Sequence, residues 1–128
     1  MIILLDTSTP VCYLTIVDDK KEFSYEWEAG KTLARGLLRF LEDKLEEHGS
    51  SVSEVSAIAV MKGPGSFTGL RIGITVVNTL AESLGVPIVG VDGEHWRKEA
   101  LVRLEQGKND QIVLPNYGSE ANITKPRK

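Results

Sequence analysis

Cysteine and histidine are scarce in this sequence of 128 residues, which has one cysteine and two histidines. A single cysteine excludes a disulfide framework within the chain, and Cys12 lies in an apolar run where we expect a small buried side chain. His48 and His95 are too far apart in sequence to form one of the short ligand motifs of metal sites. The sequence therefore predicts no metal site and no catalytic constellation.

A surplus of basic residues is also lacking, because 15 lysines and arginines face 18 acidic residues and the net charge is -3. A free-standing nucleic-acid-binding protein usually has a basic face, since neutralising phosphates supplies most of its affinity. We therefore expect any contact with nucleic acid to be indirect, through a partner.

Long hydrophobic runs are missing too. The first apolar run is ended by Asp6, far short of the length that crosses a bilayer, and it does not resemble a secretory signal. These features predict a cytoplasmic protein that makes no membrane contact.

Apolar and alternating segments predict five strands. Residues 2–5, 57–61 and 88–91 are short continuous apolar runs, which are typical of strands covered on both faces. Residues 11–17 are rich in β-branched side chains, and residues 23–27 alternate aromatic and polar side chains. Short polar reversals join the first three strands, so they form an antiparallel meander.

Helical periodicity covers residues 31–48 and 70–84, and more weakly 93–106, with an extended tail from residue 107. The order β-β-β-α-β-α-β, with right-handed crossovers, places strands four and five beside strand one. This predicts an α/β fold with a ribonuclease-H-like five-stranded mixed sheet and helices in a single lobe. The same unit occurs in the actin, Hsp70 and sugar-kinase superfamily.

A glycine-rich loop joins the fourth strand to the second long helix. Glycines before a helix N-terminus suit anion binding, because backbone N–H groups converge there. The loop is not a P-loop, however, since Gly69 is followed by Leu70 and Arg71, and its spacing also differs from the dinucleotide fingerprint. Two interpretations remain at this point: a tightly packed connection, or contact with an anion or nucleotide.

The whole run Gly63-Pro-Gly-Ser-Phe-Thr-Gly-Leu-Arg-Ile-Gly73, with Asp6-Thr-Ser8 after an apolar first strand, resembles the signature of the TsaB (YeaZ-type) family. Members of this family are non-catalytic subunits for making threonylcarbamoyladenosine in tRNA. The resemblance implies a scaffold or activator for a TsaD-type transferase, which modifies adenosine 37. TsaD-type proteins carry a metal-binding His-x-x-x-His, and this sequence has none.

The resemblance also bears on cofactors. In catalytic relatives of the superfamily the first hairpin wraps the phosphates of ATP, whereas in the TsaB branch it implies only a turn at Asp6. No cofactor is expected. Were ATP with magnesium to bind, the residues for it would be Asp6, Gly63, Gly65 and Gly69.

The two long helices carry wide apolar arcs, and that of the second sweeps about half its circumference. A surface helix needs an arc of only about 100° to cover a core. The excess predicts a helix-mediated interface, although packing on both the sheet and the neighbouring helix is the alternative. The interface residues predicted here are Leu33, Leu37, Leu41, Leu70, Ile74, Val77 and Ala81, with Arg35 and Arg39 at the rim.

The family resemblance implies that this interface joins the chain to a TsaD-like subunit or to a second copy, with a TsaE-like ATPase joining through the complex. The resemblance covers residues 1–92, the predicted N-terminal domain. Family members are about twice as long, so residues 93–128 are interpreted as a helix plus an extended tail, the remnant of a second lobe. Residues 113–117 and 121–126 resemble the C-terminal end of longer members.

Three functions stay open on the sequence. The first is the scaffold or activator subunit. The second is a small nucleotide-binding or phosphotransfer enzyme that uses Asp6 and residues 63–69. The third is a self-associating module with no role in tRNA modification.

Overall fold

The computed structural model describes residues 1–117, in which three consecutive strands are followed by helices and two further strands. The strands are β1 (Ile2–Asp6), β2 (Val11–Asp18), β3 (Lys21–Glu28), β4 (Ala57–Met61) and β5 (Ile88–Val91). The α-helices are α1 (Leu33–Glu47), α2 (Phe67–Leu84) and α3 (Trp96–Glu105), and short 3-10 helices span Gly30–Thr32 and Val52–Glu54.

The five strands form one mixed sheet in the order β3-β2-β1-β4-β5. β1 pairs with β2, and β2 with β3, in antiparallel fashion, whereas β1 pairs with β4, and β4 with β5, in parallel. The predicted ribonuclease-H-like topology is confirmed. Because β1, β4 and β5 are parallel, their C-terminal ends meet at one edge of the sheet.

The core has two layers of side chains, one on each face of the sheet. On one face Ile3, Leu5, Leu14 and Ile58 pack against α1 and α2. On the other face α3 packs Trp96 and Ala100 against residues of β1, β4 and β5. Apolar burial of this kind stabilises a fold by about 25 cal/mol per Å² removed from water.

The seven residues predicted as an interface all lie in the core. Leu33, Leu37, Leu41, Leu70, Ile74, Val77 and Ala81 are between 0 and 6% exposed. The prediction that these side chains make the contact is therefore wrong for the folded chain. The arcs are wide because α1 and α2 pack against the sheet and against each other, which was the alternative left open by the sequence.

Two helix starts differ from the prediction by three residues each. α2 begins at Phe67 rather than Leu70, because the Ser66 side chain accepts the N–H of Gly69 and caps the helix. α2 ends as predicted at Gly85, which has the left-handed conformation that favours glycine. α3 is shorter than residues 93–106 at its start, where Gly93 to His95 form a turn.

The first part of the predicted tail packs on the domain. The Asn78 side chain donates to the carbonyl oxygen of Val113 at 3.0 Å and accepts from its N–H at 2.9 Å. Val113 is buried, and the N–H of Asn116 donates to the carbonyl oxygen of Lys62 at 2.6 Å. Residues 118–128 of that prediction, with the family-like run 121–126, lie outside the described residues.

None of the helices in residues 1–117 combines the length and the apolar character that a membrane span requires.

Cys12 is buried in β2, where burial first and the nearby charge of Asp6 second raise the pKa of its thiol to about 12. Because the thiolate is the reactive form, the native thiol should react at pH 8 at least about tenfold more slowly than in denaturant. An absorbance assay with a disulfide reagent measures both rates. Equal rates would show that β2 is open to solvent.

Candidate functional site

Two loops meet at the C-terminal edge of the parallel strands. One is the turn at residues 6–10 between β1 and β2, and the other is residues 62–66 between β4 and α2. The N–H of Ser66 donates to the carbonyl oxygen of Ser8 at 2.8 Å and joins them. Ligands of open α/β sheets usually bind at this edge. The structure thus brings the predicted Asp6 and glycine-rich loop together.

Asp6 closes its own turn. Its Oδ1 accepts from the N–H of Ser8 at 2.8 Å and from the Ser8 hydroxyl at 2.6 Å. This Asx arrangement holds the chain where β1 reverses into β2. Both contacts of Oδ1 lie within the turn, as expected if Asp6 is a turn residue.

Thr7 fixes the start of α2, a role that the sequence analysis missed. It is buried, and its Oγ1 donates to the carbonyl oxygen of Gly69 at 2.7 Å. A Cβ on Gly69 would collide with the Thr7 carbonyl oxygen, and one on Gly73 with Thr7 Oγ1. The sequence signal for this contact is the pair of glycines four residues apart, which lie on one face of a helix.

The other two loop glycines also allow close approaches. Gly63 has φ of +118°, a conformation that favours glycine, and a Cβ there would collide with the carbonyl oxygen of Asn116. A Cβ on Gly65 would collide with Ser8. The packing interpretation therefore accounts for Gly63, Gly65 and Gly69 without a bound anion.

Neither histidine takes part in the contacts that the described residues show between these two loops. His48 follows the end of α1, and its Nε2 lies 3.0 Å from Asp18 Oδ2. The His48 ring also makes an edge contact with the ring of Phe23. Asp18 ends β2, so this pair is at the opposite edge of the sheet. His95 is exposed before α3. Within residues 1–117, no three His, Cys, Asp or Glu side chains cluster as metal ligands would.

A second candidate site is the outer surface of α1 and α2. A groove of about 420 Å³ runs between the helices, lined by Ala34, Thr68, Arg71, Ile72, Thr75 and Val76. Leu38 of α1 is 47% exposed and Phe67 of α2 is 55% exposed. The ring of Phe67 packs against that of Tyr117 at a tilt of 34°, with centroids 4.4 Å apart, and this contact joins the packed tail to this surface. We call this surface the α1–α2 face.

Charge is divided along the α1–α2 face. The first half of α1 and the turn before it are basic, and the second half of α1 is acidic. α1 leads into β4 and α2 leads into β5, and because these strands are parallel the two helices run in the same direction. α2 has the same charge order as α1, with Arg71 near its start and Glu82 near its end. The face is therefore basic near the N-termini of the two helices and acidic near their C-termini. The basic residues are Lys31, Arg35, Arg39 and Arg71, and the acidic residues are Glu42, Asp43, Glu46 and Glu82.

The predicted rim residues, Arg35 and Arg39, are both exposed in this basic half. Arg39 forms an exposed ion pair with Asp43 on its own helix, Nε to Oδ1 at 3.4 Å. Exposed pairs of this kind contribute little to folding, about 0–1 kcal/mol, so both charges are available to a partner.

The fold and loops define a ribonuclease-H-like domain whose glycine-rich loop packs on its first hairpin. A model of the family described as TsaD, tRNA N6-adenosine threonylcarbamoyltransferase, matches residues 27–110. The tRNA threonylcarbamoyladenosine biosynthesis protein TsaB of Escherichia coli (strain K12) is 30% identical over 109 residues, 80% of this chain and 47% of that protein.

Two further comparisons agree with these. The structure of YeaZ from Pseudomonas aeruginosa matches with a TM-score of 0.68 and 36% identity, over 83% of this chain and 49% of that one. The tRNA N6-adenosine threonylcarbamoyltransferase of Thermofilum pendens (strain DSM 2475 / Hrk 5) is 34% identical over 97 residues, 76% of this chain and 29% of that protein. The chain belongs to this family, with its TsaB (YeaZ-type) members. It spans about half the length of the TsaB proteins that it matches.

Replacing Gly73 with alanine tests the contact with Thr7. Alanine is the better helix former by about 1 kcal/mol, but its Cβ would collide with Thr7, and overpacking costs about 1–3 kcal/mol. We expect net destabilisation in urea unfolding, and a smaller loss when Thr7→Ala is combined with Gly73→Ala.

Ser83→Ala, on the exposed side of the same helix, is the control and should change stability by less than about 0.5 kcal/mol. A Gly73→Ala variant more stable than the parent would contradict the close approach.

Proposed function

We propose that this chain is a non-catalytic subunit that supports a TsaD-type threonylcarbamoyltransferase in the modification of tRNA, and that it binds its partner through the α1–α2 face. The observation that carries the proposal is the contrast between the two candidate sites. At the strand edge, the Asp6 turn and the loop glycines pack against each other. On the α1–α2 face, apolar side chains are exposed beside an open groove.

The size and composition of the face support a helix-mediated contact. Leu38 and Phe67 are large apolar side chains that would be covered by a partner, and the groove between the helices accepts a ridge of side chains. Charged residues surround this centre, the usual arrangement of a protein interface with an apolar core and a polar rim.

A TsaD-type protein is a suitable partner because of its own likeness to this chain. The Thermofilum pendens transferase is similar over 97 residues, so it has segments that correspond to much of this domain. A partner with the same pair of helices allows a pseudo-two-fold contact, in which α1 and α2 meet their counterparts in a four-helix arrangement.

The division of charge favours an antiparallel approach of the two helix pairs. A two-fold operation would place the basic half, with Arg35 and Arg71, against the acidic half of the other copy. Such complementarity directs orientation and increases the association rate more than it adds affinity. The same surface therefore also fits a second copy of this chain, and a homodimer is the alternative assembly.

The remaining parts of the proposal follow from this role. The transferase partner carries out the chemistry and holds the tRNA, while this chain needs no cofactor of its own. A TsaE-like ATPase would act on the assembled complex. The proposed place of action is the cytoplasm.

The contact can be tested by substituting Leu38 with glutamate. A charge at the centre of the face should weaken binding of a purified TsaD-type protein at least about tenfold, because a buried unpaired charge costs several kcal/mol. Val102→Glu is the matched control, since Val102 of α3 is 46% exposed, close to the 47% of Leu38, but lies on the opposite side of the sheet.

Isothermal titration calorimetry gives both affinities, and circular dichroism checks that both variants are folded. If Leu38→Glu and Val102→Glu bind as tightly as the parent, the proposed face is wrong. If the parent itself does not bind a TsaD-type protein but forms a homodimer that Leu38→Glu dissociates, the self-associating module is favoured.

The nucleotide-binding alternative can be tested separately, because it requires the charge of Asp6. The non-catalytic proposal predicts that titration of the chain with ATP and magnesium gives no saturable heat in the micromolar range. Asp6→Asn is the variant of choice, since the asparagine Oδ1 can still accept from Ser8 while the charge is removed. Micromolar ATP binding that is lost in Asp6→Asn would overturn the non-catalytic proposal.

A further inference from the structure

β5 is the strand at one edge of the sheet, beyond its partner β4. Because successive residues of a parallel strand turn their backbone groups to opposite sides, Ile88 and Gly90 direct theirs away from β4. An edge strand with unpaired N–H and C=O groups is a template for pairing with a strand of another chain. What happens to these four groups therefore bears on how the protein associates.

All four groups have partners within the described chain. The N–H of Ile88 donates to Asn109 Oδ1 at 3.1 Å, and the carbonyl oxygen of Ile88 accepts from the N–H of Asp110 at 2.7 Å. The N–H of Gly90 donates to Asp110 Oδ2 at 2.8 Å, and the carbonyl oxygen of Gly90 accepts from Arg103 Nη1 at 3.0 Å.

Three of the four partners are side-chain atoms, which distinguishes this arrangement from a sixth strand. A sixth strand would have its own outer row of N–H and C=O groups and would only move the open edge outward. Here Asp110 joins the strand to Arg103, with Asp110 Oδ1 3.2 Å from Arg103 Nη2. Within residues 1–117, no further strand pairs beyond these side chains.

The segment that carries the side chains is held in place at both ends. Asn109 Oδ1 also accepts from the N–H of Gln111 at 2.9 Å, which fixes the turn. Val113 packs directly on Gly90, where a Cβ would collide with the Val113 side chain, and the Asn78 amide holds the Val113 backbone. The side chains are therefore positioned by the fold and not by chance contact at the surface.

We propose that Arg103, Asn109 and Asp110 form an edge cap that prevents β5 from pairing with a strand of a second copy of this chain. The cap does not depend on the proposed function, because any copy of this domain with an open β5 edge would meet the same hazard.

The first test is hydrogen–deuterium exchange of the amides of Ile88 and Gly90 in the parent and in Asp110→Ala. With the carboxylate removed, the Gly90 amide should exchange at least about tenfold faster. The Lys62 amide, which donates to the carbonyl oxygen of Val91 at 2.8 Å between β4 and β5, reports on the intact sheet and should keep its rate. Glu105→Ala removes an exposed carboxylate of α3 and should leave all three rates unchanged.

The second test is sedimentation velocity over a range of concentrations, in the Leu38→Glu background so that association through the α1–α2 face is suppressed. In this background, adding Asp110→Ala should produce oligomers at a protein concentration at least about tenfold below the lowest one at which the Leu38→Glu variant alone associates. Asn109→Ala, which removes the acceptor of Ile88, serves as a second variant should Asp110→Ala unfold.

The proposal is overturned if the Gly90 amide of the folded Asp110→Ala variant exchanges at the parent rate. It is also overturned if folded Asp110→Ala and Asn109→Ala remain as monomeric as the Leu38→Glu background.

Discussion

The contact between Thr7 and the glycine face of α2 is the constraint on which the rest of this structure depends. The buried Thr7 hydroxyl donates a hydrogen bond to the carbonyl oxygen of Gly69. Gly69 and Gly73 have no Cβ, which would collide with Thr7 and hold the helix farther away. The contact fixes where α2 begins and how closely it lies on the β1–β2 turn. The position of α2 in turn sets the groove against α1 and places Asn78 where it holds Val113.

This constraint accounts for the glycines of the loop by packing alone. In an anion-binding loop, glycines leave backbone N–H groups free to converge on the ligand. Here Ser66 donates to the carbonyl oxygen of Ser8, and the Gly69 N–H donates to the Ser66 side chain. The loop is thus a packed connection between the hairpin and the helix, and the surface proposed for a partner is the α1–α2 face.

Much of the fold could be predicted from the sequence because strand and helix periodicities are local. The five strands and the glycine at the end of α2 follow from such patterns, and the strand order follows from the right-handed crossover rule. The start of α2 could not, since the Ser66 cap depends on a side-chain rotamer. The choice between core and interface for Ile74 or Val77 also failed, because an apolar arc is the same whether a neighbouring helix belongs to the same chain or to another.

The candidate site could be predicted only in part from the sequence. The sequence singled out Asp6 and residues 63–69 as residues of one candidate site, and the structure brings the two loops together at the C-terminal edge of the parallel strands. Leu38 and Phe67 were missed as exposed residues, since their exposure is set by the angle at which α1 and α2 pack. The partners of the β5 edge, Asn109 and Asp110, lie in a segment without periodicity, and only the folded chain shows what they bind.

The most direct test of the account is a hydrogen–deuterium exchange footprint of this chain with and without a purified TsaD-type protein. The account predicts slower exchange in peptides of α1 and α2, with the peptides of α3 and of residues 6–10 unchanged. Protection confined to α3, or to residues 6–10 and 62–66 at the strand edge, would contradict it.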